Sequence, residues 1–469
     1  MQADVNILAD EELAKIHDQA LDILKNTGIE MPSEKAKEFL SSNGARIEDD
    51  IVYIPEDMVE EALQTVPKRD ELTLYGREEK HNIDIAQESP VLAGMVQATQ
   101  VIDPETREKR PIEDKDVAKF MRMMNKLDNI SINSPLGTPQ NFPDQKTDWH
   151  TWVISIINSE KHITGPAING ECVEAAVEMG SVIRGSREKF QEKPFFSVWV
   201  LTQPPLHVDA ETLSTLITAS ENEVPAIISS GPMMGVSSPV TLAGSVAQVH
   251  AEILSCIVLS QLANRGAPVV YTSFARIMDM KVSNISMASP EFALTKVAIS
   301  QLGHKFNLPT RMPSMLRDAK TLDAQAGFET GMCGVMGAME ADIIDGIQLD
   351  MDIVVDFADP VFCNEAMGQV RRVARGIEVD EKTLVRDLLD EVGHGGDFLS
   401  TIHTAENFKD EFWLPEITER RMWEDWEEDG ALDMEERALA QAKELLTKDT
   451  GPSLERDVQE RIKKIAENA

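Results

Sequence analysis

Aromatic side chains are scarce in this chain, with 3 Tyr and 6 Trp in 469 residues, yet several fall beside charged residues at the ends of expected strands. "SPLGTPQNFPDQKTDWHTW" carries Trp149, His150 and Trp152, and "PFFSVWVL" carries Trp199. "YTSFARIMDMKVSNISMASPE" carries Tyr271, Phe274, Asp279 and Glu291, and "RMPSMLRDAK" adds Arg311, Arg317, Asp318 and Lys320. Aromatic faces that converge beside carboxylates attract a bulky organic cation, because the ring quadrupole and the negative charge both favour it. A single aromatic at a strand end ordinarily fills core, so the chemistry requires several of them at one mouth. The acids also have structural readings. Asp279 suits a helix cap, Glu291 the first helical turn after Pro290, and Asp318 the ordering of its own loop.

Other chemistries are poorly supplied. Zinc needs three or four His, Cys or carboxylate ligands at compatible spacing, and His250 and Glu252, two apart on one helix, do not share a face. No metal site is expected. There is no nucleophile elbow, no P-loop and no GxGxxG after the first strand. His150 and His207 read as satisfied loop histidines. The formal charge is −36, from 45 basic and 81 acidic residues, and such a surface repels phosphate backbones, which excludes non-specific nucleic-acid binding. Cys172, Cys256, Cys333 and Cys363 are scattered, and the start "MQADVNILADEELAKIH" is acidic. With no uninterrupted apolar run of about 18 residues, the expectation is a reduced, cytoplasmic chain without a membrane span.

The elements that must position these residues alternate regularly beyond residue 110. Helices at 114–127, 147–159, 171–184, 209–221, 240–264, 290–306 and near 361–375 separate the strands "NISINSPLG", "HITGPAI", "PFFSVWVL", "VPAIISSG", "APVVYTSF", "LPTRM" and "ADIIDGI". Buried-looking strands alternating with helices predict a parallel sheet. Seven strands are visible, with 91–101 a source for the eighth. The expected architecture is a TIM (β/α)8 barrel at 111–415, an α+β N-terminal region at 1–110 and a C-terminal helical extension at 416–469. In such a barrel the segments that follow the strands form the active face. The pair Trp423 and Trp426 is expected to anchor the extension. In the helix after "RMPSMLRDAK", Gly327, Gly331, Gly334, Ala338 and Ala341 form one small-residue stripe, expected to lie flat on the strands. Met332, Met336 and Met339 form a second stripe that needs its own cover.

The stretches "SSGPMMGVSSPVTLAGSVAQVHAEILSCIVLSQLANRGAPVVYTS", "DAKTLDAQAGFE" and "VRRVARGIEVDEKTLVRDLLDEVGHGGDFLSTIHTAENFKDEFWLP" resemble the trimethylamine methyltransferase superfamily, over about residues 10 to 425. The resemblance implies a TIM barrel. Members acting on trimethylamine carry pyrrolysine, placed by spacing near 309–318, where this chain reads "PTRMPSMLRDA" in standard residues. It therefore looks like the non-pyrrolysine branch, which demethylates quaternary amines such as glycine betaine, proline betaine, carnitine, butyrobetaine or tetramethylammonium. The methyl acceptor there is the Co(I) cobalamin of a separate corrinoid protein, in methanogenesis or acetogenesis, so no tightly bound cofactor is expected. One departure is "DMKVSN", where the family pattern has a glycine soon after the "DM" pair. That bears on which amine is used.

The resemblance assigns provisional roles. Trp149, Trp152, Trp199, Tyr271 and Phe274, with Asp279, Glu291 and Asp318, are expected around the ammonium. Arg311, Arg317 or Lys320 would hold the substrate's carboxylate. Gly393, Gly395, Gly396 and His403 match a family stretch near the barrel's end and are expected to shape the corrinoid face. A homo-oligomer is expected. Competing readings are a TIM-barrel lyase or hydrolase with Asp/Glu acid–base chemistry, active without a corrinoid protein, and a non-catalytic quaternary-amine binding subunit.

Overall fold

The computed structural model describes residues 5–95, 97–143 and 146–468. Eight strands close into a barrel: β1 Val91–Ala93, β2 Ile130–Asn133, β3 His162–Gly165, β4 Phe196–Leu201, β5 Ala226–Ser230, β6 Val269–Ser273, β7 Thr310–Met312 and β8 Ile343–Asp345. Each pairs in parallel with its neighbours, and β8 pairs with β1 to complete the circle. The eighth strand is thus Val91–Ala93, inside the stretch taken from the sequence as an N-terminal region. The outer helices are α1 Asp114–Met124, α2 Thr147–Asn158, α3 Gly170–Arg184, α4 Ala210–Glu221, α5 Leu242–Ala263, α6 Pro290–Lys305, α7 Ala324–Ala338 and α8 Asp359–Ala374.

Local chemistry starts these helices where the strands need them. Asn169, Asp209 and Asp323 accept from the backbone amides of Cys172, Thr212 and Gln325 at 3.0, 2.7 and 2.9 Å. Ser289 caps α6, with Pro290 at its first position. Strands buried on both faces are rich in Val, Ile and Phe. Every second residue points inward: Val91, Ile132, Ile227, Val270 and Ile343 form one apolar interior cluster. Its lower end is plugged by the antiparallel pair Thr73–Leu74 and Ile83–Asp84, with Leu72, Leu74, Ile83 and Ile85 packed into that cluster.

Helix α5 is long and apolar enough to cross a membrane by composition alone, but most of it is buried in the protein. It packs against helices Asp10–Asp22 and Glu56–Thr65 and against α4, as befits a helix apolar all round. Two C-terminal helices brace the barrel, Met434–Thr447 on α8 and α1, and Arg456–Asn468 on α2 and α3. Before them, the helices Glu381–Leu384, Arg386–Val392 and Ile402–Glu411 contain no buried residue and form an arm that leaves the end of α8.

Two packing expectations are corrected. Trp423 is 65% exposed, and its ring meets Trp426 edge-on at 4.9 Å rather than the barrel. Trp413 does the anchoring instead, lying so close to Gly368 of α8 that a β-carbon there would collide with it. In α7, Gly334 and Gly337 do pack inward, on Met315 and Ser314, but Gly327 and Gly331 face open space beside the exposed Phe328. The first half of α7 buries Ala326, Glu329 and Thr330 instead, so its glycines there face outward and only Gly334 and Gly337 serve close approach. Its methionine side is half-buried between α6 and α8.

An ionic cluster fastens the lower rim. His304 Nε2 lies 3.1 Å from Asp342 and its Nδ1 3.3 Å from Glu340, while Arg69 also pairs with Asp342. Burial opposes the charge on His304, yet the two carboxylates raise its pKa to about 9. The stabilisation this gives is fully present below the unfolded value of about 6.5 and is lost as pH rises through about 9. Urea midpoints of the wild type should therefore fall between these pH values relative to His304→Gln. Parallel profiles would remove His304 from the pH dependence.

Candidate functional site

At the C-terminal ends of the strands lies a cavity of about 460 Å³, lined among others by Met95, Asp148, Ile168, Trp199, Thr215 and Phe274. Trp199 belongs to β4 and has the same inward parity as Ser197. Phe274 directly follows β6, and the two rings meet edge-on with centroids 6.4 Å apart. Asp148, in the first turn of α2, accepts from the amide of Ile168, and burial pushes its carboxyl above the ordinary value. Two aromatic rings and one carboxylate on a mixed wall are groups that can attract an organic cation.

Below this cavity the floor is ionic. The Arg311 guanidinium lies 4.6 Å from the Trp199 ring centre, with no solvent exposure. It donates to Asp345 at 2.5 Å, to Thr164 Oγ1 at 2.8 Å and to the Gly94 carbonyl at 2.9 Å. Arg311 is therefore occupied by the protein itself and holds Trp199 from beneath, with no guanidinium edge left for a ligand's carboxylate.

The other expected residues separate into distinct places. Trp152 is a wedge: its indole donates to Pro166 O at 2.7 Å, and a β-carbon at Gly165 would come within 2.5 Å of it. Trp149 is buried on α2. Tyr271 points outward from β6, its hydroxyl 2.8 Å from His250 of α5. Asp279 orders the turn of a hairpin, accepting from Lys281 N at 2.8 Å. Glu291 is exposed in the first turn of α6. Asp318 accepts from Met287 N at 2.8 Å and from the Ser286 hydroxyl, which ties that hairpin to the loop after β7. Arg317 is buried against Asp359, and Lys320 lies outside, 2.6 Å from Asp350. Gly393, Gly395, Gly396 and His403 sit on the arm, which springs from the end of α8. There Arg371 donates to Pro90 O, just below β1, so the root of the arm lies at the end of the barrel opposite the cavity. Trp199 and Phe274 are the two expected residues that the structure brings to the cavity.

Two acids of the site, Asp148 on the cavity wall and Asp345 in its floor, lie outside the residues singled out from the sequence. Asp148 lies in a polar stretch beside two tryptophans. Asp345 did have a signal, an acid inside the apolar strand "ADIIDGI". His150 stacks on Phe142 at 4.2 Å, and His207 lies 2.9 Å from Glu30. Glu252 is consumed by Thr202, Leu206, Ser230 and Gln248. Among the described residues no three His, Cys, Asp or Glu side chains are placed to hold a metal ion.

The family described as Trimethylamine methyltransferase (MTTB) matches residues 1–468. The chain is 30% identical over 463 residues to "Trimethylamine methyltransferase MttB" of Desulfitobacterium hafniense, covering 98% of this chain and 93% of that one. It is also 30% identical over 467 residues to "Glycine betaine methyltransferase" of Desulfitobacterium hafniense strain Y51, covering 97% and 95%. Among solved structures, the Methanosarcina barkeri monomethylamine methyltransferase aligns over 93% of both chains with a TM-score of 0.48 at 13% identity.

Proposed function

We infer, for a chain that belongs to the trimethylamine methyltransferase family and is a methyltransferase, that its methyl donor is a quaternary ammonium compound of the glycine betaine type. The acceptor in this reading is the reduced cobalt corrinoid of a separate protein. The observation that carries the inference is the cavity itself, with Trp199, Phe274 and Asp148 around a space that suits a trimethylammonium head.

The loop after β7 supports the choice of a quaternary amine. The resemblance places the special residue of trimethylamine enzymes there, but Met312, Met315 and Leu316 are ordinary buried side chains and Arg317 is tied to Asp359. That loop offers the cavity no group to activate a tertiary amine. A quaternary ammonium needs none. When its methyl is taken by an electron-pair donor, the C–N bonding pair stays on nitrogen and a neutral amine leaves. Positive charge is lost from the substrate along the way, which a water-poor aromatic pocket favours. The work left to the protein is aiming one methyl outward, a positioning effect.

The rim of the mouth supports a protein partner. Ile168, Val236, Val240, Met280, Val282 and Ile353 are exposed on the loops after β3, β5, β6 and β8, an apolar ring around the cavity's opening. The reading also expects copies of the chain to associate through the arm, where Val379, Leu384, Leu399 and Ile402 are exposed.

Mixing the protein with a reduced corrinoid protein and glycine betaine should convert the Co(I) absorbance to that of the methylated form, leaving dimethylglycine. The reading fails if no quaternary amine among glycine betaine, proline betaine, carnitine, butyrobetaine and tetramethylammonium supports methylation. Turnover without the corrinoid protein would point to acid–base chemistry instead.

A further inference from the structure

Above the apolar layer of the barrel, the next inward positions on β5, β6 and β8 are Ser229, Thr272 and Asp345, two residues on from Ile227, Val270 and Ile343. Ser229 and Thr272 are register partners. Ser229 Oγ, Thr272 Oγ1 and Asp345 Oδ1 are buried without a hydrogen-bond partner. Over them, from two different loops, come Arg276 and Asp352. Buried polar groups are overwhelmingly paired in folded proteins, so a cluster of unpaired ones needs a cause.

Arg276 opens the hairpin Arg276–Asp279/Asn284–Ser286. Its Nη1 donates to the carbonyls of Gly231 and Phe274 at 3.2 and 3.4 Å, so it sits against the backbone of the aromatic that lines the cavity. Its Nε is buried and unpaired, and among the described residues no carboxylate forms an ion pair with it. Asp352 is 2% exposed, and neither of its oxygens has a partner. It ends a run of three non-glycine residues in the left-handed region, Asp350, Met351 and Asp352, at φ 52°, 57° and 72°. Such backbone is held only where its surroundings fix it, and it places Asp352 beneath the small sheet Val354–Asp356/Gln100–Ile102.

We propose that Arg276, backed by Asp352 and the hydroxyls of Ser229 and Thr272, is the subsite for the carboxylate arm of the methyl donor, which makes the substrate a zwitterionic betaine rather than a bare quaternary amine. This rests on the amine reading above and deepens it. The ammonium head occupies the Trp199–Phe274–Asp148 cavity, and the arm turns inward past Phe274 to Arg276. The cations first expected to take this arm, Arg311, Arg317 and Lys320, are each paired to Asp345, Asp359 and Asp350.

Asp352 fits this place only as a proton donor. Burial and the facing Asp345 push its carboxyl far above the ordinary carboxylate range, with Arg276 opposing. Arg311 is paired to Asp345, and Lys296 of α6, whose amine burial and Arg276 push well below the usual lysine range, donates to the Ala275 carbonyl at 2.6 Å. A neutral carboxyl, two hydroxyls and a guanidinium are all donors, the set a carboxylate needs.

Calorimetric titration of the full-length protein with three probes tests the subsite: glycine betaine, its carbon isostere 3,3-dimethylbutyrate, and tetramethylammonium. Glycine betaine should bind at least about tenfold more tightly than tetramethylammonium, the worth of hydrogen bonds to a charged group. Arg276→Gln should abolish that margin and all binding of 3,3-dimethylbutyrate, with tetramethylammonium bound as by the wild type. Asp352→Asn, which keeps a donor, should retain betaine affinity and remove its decline at high pH, and should raise the melting temperature of the ligand-free protein. Equal binding of betaine and tetramethylammonium, or an Arg276→Gln variant that weakens both alike, overturns the subsite and leaves the amine reading standing. Loss of betaine at every pH in Asp352→Asn overturns the donor role. Binding of no ammonium compound at all overturns both readings together.

Discussion

Replacing Arg311 with methionine should destabilise the protein by about 3–5 kcal/mol, the cost of leaving a buried carboxylate without its partner. Arg311 and Asp345 are both fully buried, 2.5 Å apart on adjacent strands. The guanidinium also satisfies Thr164 on β3 and the Gly94 carbonyl after β1, so one side chain cross-braces the barrel's interior. Methionine fills much of the volume but supplies no charge. Asp345 would then take up a proton or draw in water, either of which costs folding free energy. The double change Arg311→Met/Asp345→Leu should recover most of the loss, because an apolar replacement of a whole buried pair is often close to neutral. Urea unfolding at pH 7 with an unchanged slope is the measurement. A single variant within about 1 kcal/mol of wild type, or a double variant no better than the single, would mean that Asp345 does not depend on Arg311.

This pair also shows where sequence reading stops. Arg311 looked available because its partner lies 34 residues away on the next strand, and no periodicity links the two. The barrel itself was legible. Uninterrupted apolar runs separated by helix-length segments leave few alternatives. β1 was ambiguous because it is three residues long and precedes the regular alternation. The aromatics were half legible. Strand parity separates Tyr271 from Val270, Thr272 and Phe274, but both sets of β6 are compatible with burial, so the sequence cannot say which faces inward. Asp352 was invisible, since its role depends on a left-handed turn that no glycine announces.

Trp199→Leu should raise KM for glycine betaine roughly 30-fold, matching about 2 kcal/mol for a desolvated cation–π contact. The turnover number should stay within about threefold of wild type, and this asymmetry is the informative part. The substrate carries a full positive charge when it binds, and that charge is already falling as the methyl moves away. An aromatic face therefore holds the ground state at least as well as the transition state, so its removal weakens capture without slowing the bound substrate. Trp199→Phe keeps a ring over Arg311 and should lose far less. Trp199 is 8% exposed and rests on the Arg311 guanidinium, so the leucine variant must also show a near-normal unfolding midpoint before its kinetics are compared. A collapse of turnover at unchanged KM would instead make Trp199 a support that aims the methyl group. In that case Phe274 and Asp148, which share the cavity with it, would have to account for binding the cation.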